Sequence, residues 1–177
     1  IEKVHIDDDI HLGVIGDTKP IGICGSGLID AIASMMDAEL IDGAGRLRNK
    51  DFDQLPENLQ IRFKSKDGTR SMVLASKEES GTGEEIILTQ MDIRQLQLAK
   101  AAIYAGIVML QTVMNVSNSE LHELYVCGGF GNYINMESAI KIRLVPNLPL
   151  ERVSYFGNAA LMGAQIALLS EAERANA

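Results

Sequence analysis

The stretch Leu124-Tyr-Val-Cys-Gly-Gly-Phe-Gly-Asn132 decides the fold of this 177-residue chain. Its first half reads as a short apolar strand, and glycines follow at positions 128, 129 and 131. Because glycine has no side chain and tolerates positive φ, the backbone after this strand lets a ligand approach closely. In α/β proteins ligands bind at the carboxyl ends of strands, and such an end suits a nucleotide. The alternative is a tight strand-to-helix turn with packing glycines, and the motif alone does not separate the two.

The elements around this stretch predict an α/β domain. Thr89 and Asp92 resemble a capping box that starts a long helix. Beyond Ala101 the apolar residues of this helix spread around its whole circumference, so we expect burial on most sides. Strands are expected at 121–127 and 152–156, with a short helix at about 135–141 between them and a closing helix at 158–170. This alternation predicts a sheet that is at least partly parallel.

The amino-terminal third predicts a second glycine-rich helix start. Residues 1–16 read as two short strands around the acidic turn Asp7-Asp8-Asp9, and Gly22-Ile-Cys-Gly-Ser-Gly27 then opens a helix with Ser26 as the expected N-cap. The free N–H groups and the dipole of such a helix start attract an anion, and phosphate is the obvious guest. The alternative is a plain helix cap in which Cys24 is a small buried hydrophobe.

Residues 46–85 are more polar and are expected to form a small β-rich insertion. Its candidate strands are Leu59-Gln-Ile-Arg-Phe63 and Ser71-Met-Val-Leu-Ala75, joined by the hairpin signal Lys66-Asp-Gly-Thr69. A further short strand is expected at 84–88.

Composition and charge limit the classes of function. A formal net charge of −8 and scattered basic residues argue against nucleic acid and against an anionic membrane surface. Cys24 and Cys127 are far apart and form no CxxC pair, which indicates reduced thiols in a cytoplasmic protein and no metal site. The uncharged run 101–119 is interrupted by polar residues and is too short for a membrane span, so we expect a core helix. Because the chain begins at Ile1, apparently within a strand, we expect a fragment.

Taken together, the glycine-ended strand and Gly157-Asn-Ala-Ala160 resemble the adenosine and second connecting motifs of the actin, Hsp70 and sugar-kinase ATPase superfamily. Five blocks in order, spanning nearly the whole chain, look more closely like the carboxy-terminal part of the reductive activators of corrinoid proteins. These blocks are Gly22-Ile-Cys-Gly-Ser-Gly-Leu-Ile-Asp30, Leu88-Thr-Gln-Met-Asp-Ile-Arg94, Gln97-Leu-Ala-Lys-Ala-Ala-Ile103, Cys127-Gly-Gly-Phe-Gly-Asn132 and Gly157-Asn-Ala-Ala160.

The resemblance implies an RNase H-like α/β lobe with a mixed sheet and flanking helices, and ATP with Mg²⁺ bound between two lobes. It implies a corrinoid-containing partner protein, needed for methyl transfer, whose Co(II) is returned to Co(I) with electrons from a low-potential donor. The electrons pass through an iron–sulfur domain elsewhere in the polypeptide, since two isolated cysteines cannot hold a cluster. Residues 1–177 are then the C-terminal lobe, with the other lobe and its phosphate motifs upstream. Such a fragment is expected to be inactive alone. The resemblance does not identify its catalytic residues, and it leaves open whether the protein forms a homodimer.

The same comparison assigns nucleotide-binding residues. Gly128, Gly129 and Gly131 line the nucleotide through their backbone, with Asn132 or Tyr133 beside the base or ribose. Gly25, Ser26 and Gly27 approach it from the other side. Lys141-Ile-Arg-Leu144 stands where the family has an Ile-Gly-Leu turn, so the geometry of that turn is open.

Two other functions compete with this one. The first is a docking lobe that keeps the fold but not nucleotide binding and uses residues 46–85 and the acidic surface for a partner. The second is a small-molecule kinase of the same superfamily, which predicts an Asp base in an acceptor pocket that the sequence does not reveal.

Overall fold

The computed structural model describes residues 1–48, 51–66, 68–129 and 131–176, without the side chains of Phe52, Lys66 and Asn132. The strands are β1 (Lys3–Ile6), β2 (Ile10–Gly13), β3 (Phe63–Lys66), β4 (Thr69–Ala75), β5 (Ile86–Thr89), β6 (Leu124–Val126) and β7 (Val153–Tyr155). The helices are α1 (Gly25–Asp37), α2 (Glu57–Gln60), α3 (Gln90–Met114), α4 (Met136–Lys141), α5 (Ala159–Leu169) and α6 (Glu171–Asn176).

The strands pair in three separate groups within the described part of the chain. β1 and β2 form an antiparallel hairpin, and β3, β4 and β5 form an antiparallel sheet in that order. β6 and β7 are parallel, with Leu124 opposite Val153 and Val126 opposite Tyr155. The mixture of a parallel pair, antiparallel strands and flanking helices confirms the predicted α/β class.

The core is one cluster in which α1 packs against β1 and α4 and to which the β3–β5 sheet also contributes residues. One face of α1 contributes Ile29, Ile32 and Met35, each almost fully buried. Met72 and Leu88, on paired strands, close the core from the sheet side. Each such side chain stabilises the fold by roughly 1.5–3 kcal/mol relative to an exposed one, so this half of the molecule has a core of its own.

Residues 46–85 form most of the predicted β unit, but its first strand is displaced. Leu59 lies in α2 rather than in a strand, and β3 begins at Phe63. Pro56, with φ fixed near the helical value, stands at the N-cap of α2, and Leu59 is buried against the core from that helix. The strand pattern therefore missed a single helical turn. Asp67, in the predicted hairpin turn, lies outside the described residues, and its neighbour Gly68 has φ +76°.

The capping box at the start of α3 is confirmed. The Thr89 hydroxyl accepts the Asp92 N–H at 3.2 Å, and the Asp92 carboxylate accepts the Thr89 N–H at 2.8 Å. The helix ends at Asn115, which takes the left-handed conformation at φ +52°. The predicted burial of this helix is wrong: Ile93 is its one buried residue among those described.

The apolar residues of α3 beyond Ala101 are mostly exposed to solvent. β6 and β7 form a parallel pair of three residues each, and α5 is itself exposed. By length and composition α3 is apolar enough to cross a membrane, a property that core helices of globular proteins share.

Candidate functional site

The two glycine motifs recognised in the sequence meet at the carboxyl end of the parallel pair. β6 ends at Val126 and the chain turns at Gly128, whose φ of +98° is a conformation that favours glycine. β7 ends at Tyr155, and Gly157 follows with φ +59°. The Gly128 N–H donates to the Gly157 carbonyl at 2.5 Å. Because β6 and β7 are parallel and adjacent, their glycine turns form one edge.

The glycines after β6 have different surroundings. A Cβ built on Gly128 or Gly129 meets no atom within 4 Å, so the backbone there borders open space. A Cβ on Gly131 lies 2.6 Å from Cγ1 of Val126, and Gly131 is buried. Gly128 and Gly129 therefore leave room for a ligand, whereas the missing side chain of Gly131 lets the turn fold back onto β6.

The turn continues into an aromatic residue and a cavity. Tyr133 ends a short 3₁₀ turn that begins at Gly131, and 65% of Tyr133 is exposed. Phe130 and the side chain of Asn132 lie outside the described part of the structure, so the prediction for Asn132 stays a prediction. Next to Tyr133 is a cavity of about 470 Å³. Its lining residues are Glu2, Lys3, Asp30, Tyr133, Ile134 and Asn135.

The predicted N-cap of α1, Ser26, is wrong, because the N-cap lies two residues earlier. Cys24 is the N-cap residue, with extended backbone and no side-chain cap, and its carbonyl accepts the Leu28 N–H at 2.9 Å. Ser26 is buried inside the first turn, with its hydroxyl 3.1 Å from the Cys24 sulfur. A Cβ on Gly27 lies 2.5 Å from the Ile1 carbonyl oxygen, which leaves Gly25 as the exposed member of the trio.

Cys24 is half-buried at this helix start. Burial raises the pKa of its thiol, but hydrogen bonding from Ser26 and from the backbone of Gly27 and Ser26 outweighs burial and leaves the pKa below its usual value. Its sulfur also lies 3.1 Å from the Ile1 carbonyl oxygen. These contacts stabilise a local turn and bring no general base to the sulfur.

The start of α5 lies directly after β7 and Gly157, on the second strand of the glycine edge. The side chain of Asn158 accepts the Leu161 N–H at 3.0 Å and so caps α5. This cap fixes the backbone directly after Gly157.

The structure brings together a subset of the predicted residues. Gly128 and Gly129 share one open turn, and Tyr133 shares a cavity with α1 through Asp30. Gly25 is exposed at the start of α1, but it is not among the residues that line that cavity. A wider and more open cavity of about 540 Å³ lies at the carboxyl end of α3, where Tyr104 and Asn115 line it, and no predicted residue borders it.

Asp30 lines the cavity beside Tyr133, and the sequence analysis did not single it out. It stands between apolar residues on the buried face of α1 and is only 5% exposed. An acidic residue at helical spacing within the run Ile29 to Ala33 was the available signal, since carboxyl groups are rarely buried without a reason.

The parallel pair with its glycine edge belongs to an α/β domain, and the family model and the structural match described below assign this domain to the ASKHA type, the superfamily of actin, Hsp70 and sugar kinases. A protein-family model described as the C-terminal domain of RACo, the ASKHA domain, matches residues 1–177. The chain therefore belongs to this family of C-terminal domains of corrinoid reductive activators.

Individual relatives agree with this assignment. The chain is 40% identical over 176 residues to the corrinoid activation enzyme RamQ of Eubacterium limosum, which covers 98% of this chain and 29% of RamQ. A solved structure of a reductive activator for corrinoid, iron-sulfur protein superimposes with a TM-score of 0.85 at 34% identity, over 99% of this chain and 27% of that one. The chain thus spans less than a third of the length of these relatives.

Proposed function

We propose that this chain is the nucleotide-binding C-terminal part of an ATP-dependent activator that returns a Co(II) corrinoid protein to Co(I). The observation that carries the proposal is the hydrogen bond from Gly128 to Gly157, which joins both glycine motifs at one strand edge. The family membership and the corrinoid activators among the relatives support the substrate class.

The described residues fit the adenosine side of a nucleotide site. Unobstructed backbone at Gly128 and Gly129 lets a ligand approach the strand end, and the exposed Tyr133 ring offers a flat apolar surface two residues beyond Gly131. Side chains that would hold Mg²⁺ and the phosphates are proposed to come from a lobe upstream of residue 1. When bound, ATP supplies a ligand whose affinity can differ between two states of the activator.

Reduction of Co(II) is unfavourable, and differential binding can offset it. Each tenfold preference of the activator for one state of its partner contributes about 1.4 kcal/mol, equivalent to about 60 mV for one electron. A modest set of contacts that form only in the ATP-bound complex is thus sufficient to shift the potential usefully. In this chain the elements placed to transmit ATP binding are the glycine edge and the helices that start beside it.

The remaining parts of the proposal concern the whole protein. Residues 1–177 are the C-terminal lobe with 46–85 as an insertion, and the iron–sulfur domain that receives electrons from a low-potential donor precedes it. We place the protein in the cytoplasm, in keeping with its unpaired cysteines Cys24 and Cys127. A homodimer is compatible with the large exposed apolar surface of α3 and α5.

The central test measures the Co(II) to Co(I) absorbance change of a corrinoid protein mixed with the full-length activator and a low-potential reductant, with and without ATP. We expect Co(I) to form only with ATP. Gly129→Val should abolish the ATP effect, because its side chain fills the open space at the turn. Gly43→Val is the matched control, since Gly43 is exposed, has no atom within 4 Å of a Cβ and lies far along the chain.

Calorimetry separates this function from the docking-lobe alternative. A docking lobe binds the corrinoid protein but not ATP. In that case Gly129→Val leaves the binding of the corrinoid protein unchanged. ATP binding that is lost in Gly129→Val and kept in Gly43→Val excludes the docking-only function. Co(I) formation that is equally fast without ATP overturns the activator proposal itself.

A further inference from the structure

The cavity beside Tyr133 contains a buried acid that the fold alone does not explain. Asp30 on α1 lines it, with 5% of the residue exposed. Ser138 and the backbone of Val4 lie near its carboxyl group and favour its charged form. Oδ1 nevertheless has no hydrogen-bond partner among the described residues. A buried polar atom without a partner is costly, and native proteins retain such atoms mainly where function requires them.

The electrostatic surroundings of Asp30 are also unusual. Burial raises the pKa of its carboxyl group above the ordinary value, and this outweighs the opposing hydrogen bonds and the positive charge of Lys3. The acid thus lacks the full set of donors that a buried carboxylate needs. A ligand that brings hydroxyl donors into the cavity supplies what the protein does not.

The other walls of the cavity indicate what kind of ligand brings them. Tyr133 contributes an exposed aromatic ring, which is a stacking surface for a flat base. The Oδ1 atom of Asn135 accepts the N–H groups of Glu137 and Ser138, so its amide nitrogen is the part that remains to donate. An acid, an aromatic ring and an amide donor around one cavity match the hydroxyls, base and ring atoms of a nucleoside.

We propose that Asp30 binds the ribose hydroxyl groups of the nucleotide and makes this site selective for ribonucleotides. This inference rests on the proposed nucleotide-binding function and adds a residue that determines specificity. Oδ1 exposes less than 1 Å². A ligand hydroxyl therefore contacts this atom only after a rotation about χ2, which is a soft torsion in aspartate. Acidic side chains elsewhere bind ribose hydroxyls in the same way, because each carboxylate oxygen accepts from a hydroxyl.

A metal ion is a poorer occupant of the cavity. Lys3 lines the same space as Glu2 and Asp30, and its positive charge offsets that of one of these two acids. Within the described part of the chain no cluster of three or more His, Cys, Asp or Glu residues is arranged to hold a metal. A neutral hydrogen-bonding group is the better match for an acid whose charged form is disfavoured by burial.

The test uses the full-length protein and titration calorimetry with ATP, 2′-deoxy-ATP and 3′-deoxy-ATP. We expect wild-type protein to bind at least one deoxy analogue about tenfold or more weakly than ATP, since a hydrogen bond to a charged or buried acceptor is lost. In Asp30→Ala, ATP should bind about tenfold or more weakly and the preference over the deoxy analogue should disappear. Asp37→Ala is the matched control, because Asp37 is an exposed acid on the same helix and pairs with Lys141.

The outcomes distinguish the two levels of the proposal. Wild-type protein that binds no ATP overturns both the nucleotide-binding function and the role of Asp30. Wild-type protein that binds ATP and both deoxy analogues equally overturns only the ribose contact, and this comparison needs no folded variant. Discrimination that persists in Asp30→Ala likewise assigns the ribose contact to another residue.

Discussion

Arg143 occupies a backbone position built for glycine. It follows α4 with φ +59°, its N–H donates to the Ile140 carbonyl at 2.9 Å, and the Leu144 N–H donates to Ala139 at 2.8 Å. This is the left-handed helix end in which glycine avoids the steric penalty of a Cβ. Arg143 also faces Lys100: burial lowers the pKa of Lys100, and the charge of Arg143 lowers it further.

We therefore expect Arg143→Gly to raise the free energy of unfolding by about 1 kcal/mol, measured by urea unfolding at neutral pH. Arg143→Ala is the control, because it removes the charge but keeps a Cβ at positive φ. If backbone strain dominates, the free energy of unfolding rises clearly less in the alanine variant than in the glycine variant. Equal gains contradict the strain argument and assign the effect to repulsion from Lys100.

At the same scale, residue identity predicted part of the geometry of the candidate site. The sequence placed Gly128 and Gly129 at a strand end because strand and glycine signals are local. Asp30 was not predicted because its position at a cavity depends on what packs around α1, namely β1, α4 and the turn that carries Tyr133. Ser26 was misassigned as the N-cap because cap identity depends on where the preceding backbone leaves its extended conformation, here at Cys24.

Among the elements, an ion pair ties the β3–β5 sheet region together. Arg62, just before β3, donates to both carboxylate oxygens of Glu79 at 2.7 and 3.0 Å. Glu79 also accepts the Ser76 N–H at 2.7 Å, and Arg62 lies 3.9 Å from Asp9 in the β1–β2 turn. The hydrogen bonds from Arg62 are the main reason that the pKa of Glu79 falls to about 2. Through its contacts with Glu79 and Asp9, Arg62 therefore links the β3–β5 sheet to the β1–β2 hairpin.

This pair predicts an acid-dependent loss of stability. The folded-state pKa of Glu79, about 2, lies below its ordinary value of 4.5, so its stabilisation is present above pH 4.5 and is lost as the pH falls towards 2. Because 47% of the Glu79 side chain is exposed, solvent screening reduces the contribution to about 1 kcal/mol. Urea unfolding between pH 7 and pH 3 should show a steeper decline in wild-type protein than in Glu79→Gln.

The control for that measurement is Glu84→Gln, which removes an exposed acid paired with Lys77. In this control variant the free energy of unfolding should fall with pH as steeply as in wild-type protein. A Glu79→Gln variant with an unchanged pH profile contradicts the assignment of the acid sensitivity to this pair.

Element boundaries show what the sequence could and could not predict. β1, β2, α4 and the antiparallel β insertion followed from local patterns and turn residues. The strand proposed at Leu59-Gln-Ile-Arg-Phe63 did not form as such, because Pro56 starts a helical turn and the core takes up Leu59 from that turn. The apolar pattern of α3 predicted a helix correctly but could not reveal which residues cover it, since periodicity records only that the helix has apolar faces.

For the whole molecule, the main physical problem is the exposed apolar surface of the carboxy-terminal half. Val113 on α3 is 83% exposed and Leu110 is 65% exposed, and Leu169 on α5 is similarly open. Parallel sheets are normally covered on both faces, and a two-stranded sheet is marginal alone. The relatives are more than three times longer than this chain, so further polypeptide is available in them to cover this surface.

We expect this surface to be internal in the full-length protein, and Leu110→Ser to lower its free energy of unfolding by about 2–4 kcal/mol, as for a buried leucine. Gln95→Ser, at an exposed polar position of the same helix, should cost only a few tenths of a kcal/mol. Chemical unfolding with sedimentation at two concentrations measures both stability and mass.

If Leu110→Ser costs no more than Gln95→Ser in a monomer, the surface is not covered. If the protein sediments with membranes instead, α3 has a bilayer as its cover. A stability loss accompanied by dissociation of a dimer assigns the cover to a second copy, whereas a loss without any change of mass assigns it to the same polypeptide.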